Sequence, residues 1–499
     1  MNGLAAVRTW FGDVLQGATV AHLQLDSRKV CANDVFFSLV DEPEIAQAHI
    51  AQAVQRGAAA VAVDASQRNS AANNSPTILI ADLKRNLGAI AHAFYGQPSK
   101  NCTVVGITGT NGKTSCSHWL AQAWQKTIGQ TAFMGTLGCG MLQQAQRFET
   151  GMTTPDVLTV HRLLADLVQQ NTNMVAMEVS SHALDQHRVD SVQFDTAIFT
   201  NLTRDHLDYH GDMASYAAAK QKLFDVDALQ LAIINADDAF GQQLIARVQK
   251  NGKPVLSYAL ENVTSDLGVE RYEVTGQGIA ASIRTPWGKG ELQSRFPGGY
   301  NLLNTLAVVA TLCGHGIGLE AALQAVAQLE VVPGRTHIVS EKNDDILVVV
   351  DYAHTPDALQ KVLQALRPQT AKKLWCVFGC GGKRDKGKRP QMAQAVQALA
   401  DYVVVTTDNP RDEKPEQIIA EIVAGFVATS HKAYEVIVDR DEAIKQVITN
   451  ASAGDIVLLA GKGHEDYQEI LGQRLHFSDV EHAQQALHLR RQQHAGGVA

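Results

Sequence analysis

The chain has 499 residues, of which 45% are hydrophobic and 19% are charged. This length exceeds what one ordinary core supports, so the composition predicts a globular protein of two to four domains. The net charge of -8 gives no sign of the basic surface that binds nucleic acid or acidic membranes, so we expect neither partner. The seven cysteines include no CxxC pair, which predicts reduced thiols in the cytoplasm. No signal peptide or transmembrane helix is predicted.

Short Val/Ile-rich runs alternate with helical patterns along most of the chain. Their nearly continuous hydrophobicity is typical of parallel strands that are buried on both faces. The alternation predicts an α/β fold with mostly parallel sheets. The predicted strands are 58–64, 102–108, 173–180, 196–201, 231–235, 346–353, 373–379, 402–408 and 455–461.

Turn-forming residues predict three domains, at 1–99, 100–332 and 333–499. The first domain ends in the sequence GQPSKN. The pair Pro333-Gly334 indicates a hinge between the second and the third, because proline and glycine interrupt regular structure.

The strand at 102–108 is followed by the glycine-rich sequence GTNGKTS and then by a helical pattern. Such a turn directs backbone N–H groups toward phosphate oxygens. Lys113 would neutralise the β- and γ-phosphates, and the Thr114 hydroxyl would reach Mg²⁺. The strict G-x-x-x-x-G-K-[ST] pattern is not met, because Ile107 occupies its first glycine position. The predicted ATP-binding loop comprises Gly109, Thr110, Asn111, Gly112, Lys113, Thr114 and Ser115.

Polar residues follow two further predicted strands. Glu178 lies near the carboxyl end of the strand at 173–180, where α/β sheets place ligands, and its oxygens suit Mg²⁺. His206 follows the strand at 196–201, and Lys220 lies in the next helical run. Taken alone, His206 is a core or capping histidine and Lys220 is a solvated surface charge.

Several motifs occur in order along the chain. They are DSRKV (26–30), GTNGKTS (109–115), TTPD (153–156), MEVSSHAL (177–184), NLTRDHLDYHG (201–211), AKQKLF (219–224), YNLLN (300–304), DYAHTPDAL (351–359), FGCGGKRDKGKRP (378–390), DNPR (408–411) and GKGHE (461–465). Together they resemble the Mur ligase family over nearly the whole chain. The resemblance implies an N-terminal Rossmann-like UDP-binding domain, a central P-loop ATPase domain with a mostly parallel sheet, and a C-terminal Rossmann-like domain.

The resemblance also implies roles that spacing alone does not assign. Lys220 matches a lysine that is carbamylated in the family, and its carbamate would join Thr114, Glu178 and His206 around Mg²⁺. The implied catalytic residues are Lys113, His206 and Lys220. Further ATP-binding residues are Asn301, Asn304, Arg335 and Asp351. Contacts to the UDP-linked substrate are implied for Leu25, Ser27, Thr153, Thr154, Ser180, Gln186 and Arg188.

The sequence DNPR lies at the end of the strand at 402–408. By itself it favours a turn, but it is similar to the diaminopimelate signature of the family. Diaminopimelate differs from lysine by one extra carboxylate, which the planar guanidinium of Arg411 can bind through two hydrogen bonds. The implied diaminopimelate-binding residues are Arg384, Asp408, Asn409, Pro410, Arg411, Gly461 and Glu465.

The implied activity is an ATP-dependent ligation. It adds meso-diaminopimelate to the D-glutamyl γ-carboxylate of UDP-N-acetylmuramoyl-L-alanyl-D-glutamate, through an acyl phosphate, in peptidoglycan synthesis. We expect ATP and Mg²⁺ as cofactors, small molecules as partners, a cytoplasmic location and a monomer.

Two alternatives stay open. One is another ligase of the superfamily, either folylpolyglutamate synthase or a lysine-adding enzyme. The other is a P-loop ATPase or nucleotide-binding regulatory module without ligase activity. The DNPR sequence disfavours each, because a lysine-adding enzyme would lack its arginine and an ATPase would not need it.

The chain departs from the usual family pattern at three places. Residues 41–50 lack the Asp-Gly-His that such ligases commonly carry, although His49 lies nearby. Lys383 stands where an aspartate is commoner, and RTHIV (335–339) stands where Arg-Met-Glu is frequent. We expect none of these to change the reaction.

Overall fold

The computed structural model describes residues 3–70, 76–142, 144, 148–275, 278–427 and 434–496. Within these residues the chain forms three successive sheets and a separate two-stranded hairpin. Strands and helices alternate through most of the chain, which confirms the predicted α/β fold with mostly parallel sheets. In this described part, no helix combines the length and apolar character needed to cross a membrane.

The first sheet has four parallel strands in the order β1-β2-β3-β4. Its core includes Val157 and Leu158, which belong to the next segment of the chain, so the first two segments share buried apolar surface. The strands are β1 Leu23–Gln24, β2 Val35–Phe37, β3 Ala60–Asp64 and β4 Thr77–Ile80, and the helices are α1 Arg8–Phe11, α2 Pro43–Gln55 and α3 Leu83–Phe94.

The second sheet is the largest. Its strands are β5 Thr103–Thr108, β6 Thr131–Gly135, β7 Gly138–Met141, β8 Met174–Glu178, β9 Thr196–Phe199, β10 Leu231–Asn235, β11 Val255–Ala259, β12 Leu267–Thr275, β13 Gly278–Thr285 and β14 Gly288–Ser294. The helices are α4 Lys113–Thr127, α5 Val157–Gln169, α6 Ser181–Asp185, α7 Leu207–His210, α8 Met213–Gln221, α9 Ala239–Lys250, α10 Gly299–Gly314 and α11 Leu319–Ala327.

The strand order of this sheet is β14-β13-β12-β11-β10-β9-β5-β8-β6-β7. The strands from β12 to β6 in this order are parallel, and the antiparallel strands β7, β13 and β14 lie at the two edges. Side chains of β13 alternate between buried and partly exposed, as expected for a strand covered on one face.

The third sheet has the order β15-β16-β20-β17-β18-β19 and is parallel except for β15. Its strands are β15 His337–Ile338, β16 Leu347–Asp351, β17 Leu374–Phe378, β18 Tyr402–Val405, β19 Tyr434–Val436 and β20 Ile456–Ala460, followed by the hairpin β21 Tyr467–Ile470 and β22 Gln473–His476. The helices are α12 Pro356–Leu366, α13 Lys388–Leu399, α14 Pro415–Val423, α15 Arg440–Asn450 and α16 Asp479–Gly496.

Both large sheets place the motifs of the sequence at the carboxyl ends of neighbouring strands. In the second sheet, β5 lies between β8 and β9, and Ile107 of β5 pairs with Glu178 of β8. In the third sheet, β17 lies between β20 and β18. Because the chain leaves adjacent parallel strands on the same edge, the loops that follow them converge there.

One buried ion pair fastens the third sheet to its last helices. Arg440 donates to Asp479 Oδ1 from Nε at 2.8 Å and to Oδ2 from Nη2 at 2.7 Å, and both side chains are fully buried. The Arg440 Nη2 also donates to the carbonyl oxygen of Ala460 at 3.0 Å. The pair therefore joins the first residues of α15 and α16 to the carboxyl end of β20.

Replacing Arg440 by methionine should lower the free energy of unfolding by about 3–5 kcal/mol, because Asp479 would stay buried without its partner. Urea denaturation followed by circular dichroism measures the loss. The matched control is Arg247→Met, which removes a bidentate but exposed pair with Asp225 and should cost at most about 1 kcal/mol. Equal losses in the two variants would contradict this account.

Candidate active site

The glycine-rich loop after β5 has a backbone that only glycine fits. Gly109 and Gly112 have φ values of 150° and 89°. A Cβ atom on Gly109 would lie 1.9 Å from Thr200 Oγ1, and one on Gly112 would lie 2.6 Å from Asn304 Oδ1. Helix α4 begins at Lys113, directly after the loop. The structure therefore combines close backbone approach with a helix N-terminus, which is the arrangement that binds phosphate.

The other loop residues are fixed by the segment after β9. The Thr110 hydroxyl donates to the carbonyl oxygen of Thr203 at 3.1 Å, and the Asn111 N–H donates to Asn201 Oδ1 at 3.0 Å. Ser115 is buried in the first turn of α4. These bonds fix the loop through the Thr110 hydroxyl and the Asn111 N–H, and not through the N–H groups of Gly109 and Gly112.

Two lysine side chains converge on one carbonyl oxygen. Lys113 Nζ donates to Gly109 O at 2.8 Å and to Thr110 O at 2.9 Å, and Lys220 Nζ donates to the same Gly109 O at 2.8 Å. Lys220 is only 1% exposed, so its simplest interpretation as a surface charge is wrong. Burial, together with the Lys113 charge, lowers the pKa of Lys220 well below its usual value. The site therefore favours the neutral amine of Lys220.

Glu178 is fully buried at the end of β8 and lies beside the loop. Its Oε2 accepts hydrogen bonds from Thr114 Oγ1 at 2.9 Å and Thr136 Oγ1 at 3.1 Å, and its Oε1 accepts one from the Thr136 N–H at 2.9 Å. Arg335 Nη2 in turn donates to Thr114 Oγ1 at 3.0 Å. A carboxylate and a hydroxyl at a phosphate loop form a donor set that suits Mg²⁺.

The unmodified side chains do not complete a metal site by themselves. Among the described residues, no group of three or more His, Cys, Asp or Glu side chains is arranged to hold a metal ion. Glu178 and Thr114 offer two oxygen atoms, so phosphate, water or a modified side chain would have to supply the other ligands of a bound metal. Mg²⁺ commonly binds in this way, through few protein ligands and substrate phosphates.

His206 lies just before α7 with a left-handed backbone, at φ 55°. Its Nε2 is 3.4 Å from Asp205 Oδ2, and its ring packs edge-on against His182 at a centroid distance of 4.8 Å. Burial lowers the pKa of His206 to about 3. The ring is therefore a neutral imidazole at physiological pH, which is the form that binds metals.

The predicted nucleotide residues on α10 are both buried, and one touches the loop. Asn304 lies against Gly112, and its Oδ1 accepts a weak hydrogen bond from Cys116 Sγ at 3.5 Å. Asn301 Nδ2 donates to the carbonyl oxygen of Pro297 at 2.8 Å. The structure thus places Asn304 at the phosphate loop and Asn301 one turn earlier on the same helix.

Asp351 and Arg335 lie where the third sheet meets the second. Asp351 Oδ2 accepts the Thr336 N–H at 2.6 Å and Oδ1 accepts the Ala353 N–H at 2.8 Å, so both oxygens already stabilise turns. Burial raises the pKa of Asp351. The Arg335 guanidinium stacks on the Tyr352 ring at 4.2 Å, which orients it toward Thr114.

Residues predicted to contact the UDP-linked substrate form one network beside Glu178. The Thr154 hydroxyl donates to the carbonyl oxygen of Glu178 at 2.9 Å and accepts the Ser180 N–H at 3.1 Å. Arg188 donates from Nη1 to the carbonyl oxygen of Thr154 at 3.0 Å and from Nε to Gln186 Oε1 at 3.0 Å. Thr153 extends the network through a hydroxyl contact with Thr136 at 3.1 Å.

Leu25 and Ser27 lie apart from this network, on the first sheet. Leu25 directly follows β1, and Ser27 begins a short 3-10 helix that the Asp26 side chain caps. The buried Ser27 hydroxyl donates to Gln52 Oε1 at 2.7 Å.

The predicted amino-acid residues follow β18 and β20. Asn409 Nδ2 donates to Glu465 Oε2 at 2.8 Å, and its Oδ1 accepts the fully buried Lys462 ammonium at 3.1 Å. Lys462 Nζ is also 3.7 Å from Asp408 Oδ1. A Cβ on Gly461 would lie 3.0 Å from Asp408 Oδ2 at a φ of 116°. The cluster is therefore compact and contains charges of both signs.

Arg411 is already paired in this structure. Its Nε donates to Glu469 Oε2 at 3.1 Å and its Nη1 donates to the carbonyl oxygen of Gly382 at 2.8 Å. A Cβ on Gly382 would lie 2.0 Å from Pro410 O, so the DNPR turn packs on the loop after β17. Arg384, on that loop, is exposed.

Ion pairs connect the second and third sheets across the site. Arg204 donates to both oxygens of Asp385, at 3.0 and 3.1 Å, and Lys388 Nζ donates to Asp205 Oδ1 at 3.2 Å. Burial alone would raise the pKa of Asp205, but Lys388 and His354 overcome this and hold it well below its usual value. These ion pairs join the segment after β9, which bonds the phosphate loop, to the loop after β17, on which the DNPR turn packs.

Sequence reasoning missed several residues of the site. Lys462, Asp205 and Lys388 lie inside motifs that carried the resemblance, but no spacing rule marks them as ion-pair partners. Thr136 and Glu469 lie outside all these motifs. Their hydrogen-bond partners, Glu178 for Thr136 and Arg411 for Glu469, are distant in sequence, and only the fold brings each pair together.

The chain matches two family models, "Mur ligase middle domain" over residues 107–312 and "Mur ligase, glutamate ligase domain" over residues 334–463. It is 46% identical over 475 residues to the UDP-N-acetylmuramoyl-L-alanyl-D-glutamate--2,6-diaminopimelate ligase of Ectopseudomonas mendocina, covering 94% of this chain and 96% of the relative. The chain belongs to the Mur ligase family. The family prediction is thereby confirmed, and the protein is an ATP-dependent ligase.

Other similarities agree with this membership. The enzyme of the same name from Pseudomonas aeruginosa is 47% identical over 94% of this chain and 95% of its own. A solved structure with that name has 35% identity and a TM-score of 0.66, covering 95% of this chain and 96% of the other. The MurF ligase of Thermotoga maritima, solved with ADP, has a TM-score of 0.65 over 97% of this chain and 99% of the other, and at 17% identity shows the same fold.

Replacing Gly112 by alanine should weaken ATP binding at least about tenfold, because the loop must shift to relieve roughly 1–3 kcal/mol of strain. Calorimetric titration with ATP measures the change. Gly252→Ala is the control, because Gly252 also has a positive φ of 73° but no atom within 4 Å of the added Cβ. Wild-type affinity in the Gly112 variant would contradict the proposed phosphate loop.

Proposed function

We propose that this ligase joins meso-diaminopimelate to the D-glutamyl γ-carboxylate of UDP-N-acetylmuramoyl-L-alanyl-D-glutamate, in peptidoglycan synthesis, with conversion of ATP to ADP and phosphate. The names of its relatives support this assignment. The observation that carries it is Arg411 of the DNPR turn, whose partner Glu469 also bonds Asn409, and Asn409 in turn bonds Glu465. A diamino dicarboxylic acid has two cationic and two anionic groups, and this cluster offers partners for both.

The three separate sheets support the assignment of a different part of the reaction to each proposed domain. We assign the uridine end of the substrate to residues 1–99, with Leu25 and Ser27, phosphoryl transfer to residues 100–332, and the incoming amino acid to residues 333–499. The sheets occupy Leu23–Ile80, Thr103–Ser294 and His337–Ala460, so each lies within one proposed domain. The network of Thr153, Thr154, Ser180, Gln186 and Arg188 would bind the muramyl dipeptide next to Glu178.

Phosphoryl transfer would take place at the loop after β5. The γ-carboxylate of the substrate attacks the γ-phosphorus, the bond to the ADP oxygen breaks, and an acyl phosphate forms. Lys113, Arg335 and the N-terminus of α4 stabilise the negative charge on the phosphoryl oxygens. Asn301, Asn304 and Asp351 would orient the nucleotide from α10 and β16.

The amino group would then attack the acyl carbon. The tetrahedral intermediate collapses with loss of phosphate, and the nitrogen proton passes to solvent or to the departing phosphate. This step requires the amine of diaminopimelate near the γ-carboxyl group. The ion pairs Arg204–Asp385 and Asp205–Lys388 support that approach, because they hold the third sheet against the second.

Mg²⁺ would neutralise charge on the phosphoryl oxygens during this reaction. Thr114 and Glu178 would hold it, and His206 offers a neutral imidazole nearby. We further propose that Lys220 carries a carbamate. Its neutral amine would add CO₂ with loss of one proton, which places a carboxylate-like group beside Lys113. The product sets an anionic group beside the Lys113 cation, because both side chains lie at Gly109 O, and it would supply an oxygen ligand to the metal.

A cytoplasmic location fits the use of ATP in the proposed reaction and the absence of disulfide bonds among the seven cysteines. All seven cysteines are free, and five of them are buried. Reduced cysteines are typical of cytoplasmic proteins. The monomeric state expected from the sequence stays a prediction.

The first experiment incubates the purified protein with ATP, Mg²⁺ and UDP-N-acetylmuramoyl-L-alanyl-D-glutamate. Phosphate release is followed with meso-diaminopimelate, with L-lysine, or with no amino acid. We expect release and tripeptide formation only with diaminopimelate. Arg411→Ala should lower kcat/KM for it by at least about a hundredfold, because a charged bidentate contact to the distal carboxylate is lost.

The matched control is Arg474→Ala, which removes an exposed arginine from the nearby strand β22. It should keep wild-type turnover. Equal turnover with lysine would keep the ligase and reject the assigned amino acid. Phosphate release that needs no amino acid would instead support an ATPase.

The carbamate predicts a signal that does not depend on turnover. With ¹³C-labelled bicarbonate at pH 8, the protein should show a ¹³C NMR carbamate resonance that is absent from Lys220→Arg. Lowering the pH should weaken the signal, because the free amine becomes protonated and stops adding CO₂. A wild-type spectrum identical to that of the variant would exclude the modification.

A further inference from the structure

The hairpin β21–β22 is bonded to the DNPR turn through its backbone. The Arg411 N–H donates to the carbonyl oxygen of Glu469 at 2.9 Å, and the Leu471 N–H donates to the carbonyl oxygen of Arg411 at 2.8 Å. The Glu469 N–H donates to Asn409 Oδ1 at 3.0 Å. Arg411 and Ile470 therefore pair as in a parallel β-bridge, which attaches the hairpin to the DNPR turn.

Two non-glycine residues with left-handed backbones, Arg411 and Leu471, meet at this contact, and a third, Lys383, follows Gly382 on the adjacent loop. Arg411, Leu471 and Lys383 have φ values of 54°, 49° and 50°. Such conformations are unfavourable for L-residues, and they persist only where surrounding bonds fix them. The two backbone bonds to the hairpin provide this restraint for Arg411. For Lys383 it comes from the N–H donated to Glu413 Oε1 at 2.6 Å.

The side chain of Arg411 is fixed as firmly as its backbone. Glu469 Oε2 accepts from Nε at 3.1 Å, and Gly382 O accepts from Nη1 at 2.8 Å. These two bonds, from Nε and from Nη1, fix the orientation of the guanidinium plane. Within the described residues Nη2 makes no hydrogen bond, so its N–H groups are available to a ligand.

We propose that Glu469 is a positioning residue for amino-acid recognition, because it holds the Arg411 guanidinium in the orientation that binds the distal carboxylate of the incoming substrate. This inference rests on the proposed function. Glu469 itself does not touch that carboxylate, which would repel it. Its contribution is to order a flexible cationic side chain before the substrate arrives, which lowers the entropic cost of binding.

The positioning role of the Glu469 side chain can be tested separately from the structural role of its backbone. The bonds that attach the hairpin use the backbone N–H and carbonyl groups of Glu469, whereas only its side chain reaches Arg411 Nε. The Glu469 side chain is also 27% exposed, so its replacement leaves no buried cavity. A side-chain substitution can therefore release the guanidinium and keep the hairpin in place.

The test compares Glu469→Ala and Glu469→Gln with the wild-type ligase under steady-state conditions. KM for meso-diaminopimelate should rise roughly two- to tenfold in Glu469→Ala, the cost of ordering one long side chain. The rise should be smaller in Glu469→Gln, whose amide oxygen still accepts from Nε. The kcat and the KM values for ATP and for the UDP-linked substrate should stay unchanged.

The control variant Glu481→Gln removes a surface carboxylate that pairs with His476 of β22. Its KM for diaminopimelate should equal that of the wild type. A double-mutant cycle adds Arg411→Ala, and in that background Glu469→Ala should have no further effect on KM, because the side chain that it positions is gone.

A diaminopimelate KM that is unchanged or lowered in Glu469→Ala would overturn the inference, and a lowered KM would identify Glu469 as a competitor for Arg411. An equal effect of Glu469→Ala with and without Arg411 would also overturn it. Failure of the proposed function is distinguishable, because the wild-type protein would then not turn over diaminopimelate at all.

Discussion

The buried carboxylate of Glu178 is the constraint on which the arrangement of the site depends. A charge at this depth is costly unless neighbouring donors compensate it. The compensation comes from Thr114 on the phosphate-loop helix and from Thr136 in the turn between β6 and β7. Because Arg335 bonds the same Thr114 hydroxyl, the requirement extends into the third sheet. Satisfying one carboxylate thus brings together segments that are far apart in sequence.

Neighbouring polar groups also compensate a buried charge in the cluster of Asp408, Asn409, Lys462 and Glu465. Lys462 is fully buried, and it is stabilised by Asn409 and by the nearby carboxylates of Asp408 and Glu465. Burial and the Asp408 charge raise the pKa of Glu465 above its usual value. A cationic amine entering the cluster would stabilise the ionised form.

Much of the fold follows from local sequence. Each predicted strand, such as 102–108 or 455–461, contains an observed one, because continuous Val/Ile runs between turns suit only buried parallel strands. The antiparallel edge strands β13 and β14, and β12 beside them, were not predicted. Their alternating polar residues carry a weaker signal, and their pairing depends on neighbours in the sheet.

The site was predictable where backbone geometry demands particular residues, as at Gly109 and Gly112. It was not predictable where function depends on burial. Lys220 occupies one face of a short helix with no distinctive pattern, and only the packing of α8 against the phosphate loop removes it from water. Glu469 is another such residue, since it lies outside every motif and is brought to Arg411 by a hairpin.

Under the proposed function, discrimination between diaminopimelate and lysine would follow from the balance of charges at the DNPR turn. In the contacts of Asn409 and Arg411, the carboxylates of Asp408, Glu465 and Glu469 lie near the cations of Lys462 and Arg411. Bound diaminopimelate would bring a carboxylate to Arg411 and an ammonium to the acidic side. Lysine would satisfy only the ammonium contact, and the N–H groups of Arg411 Nη2 would lose water without gaining a partner, which costs more than the missing contact itself. A rigid Arg411 makes that cost unavoidable, since a mobile side chain could turn back to water. Under this proposal, specificity for the amino acid depends on the immobility of Arg411 as much as on its charge.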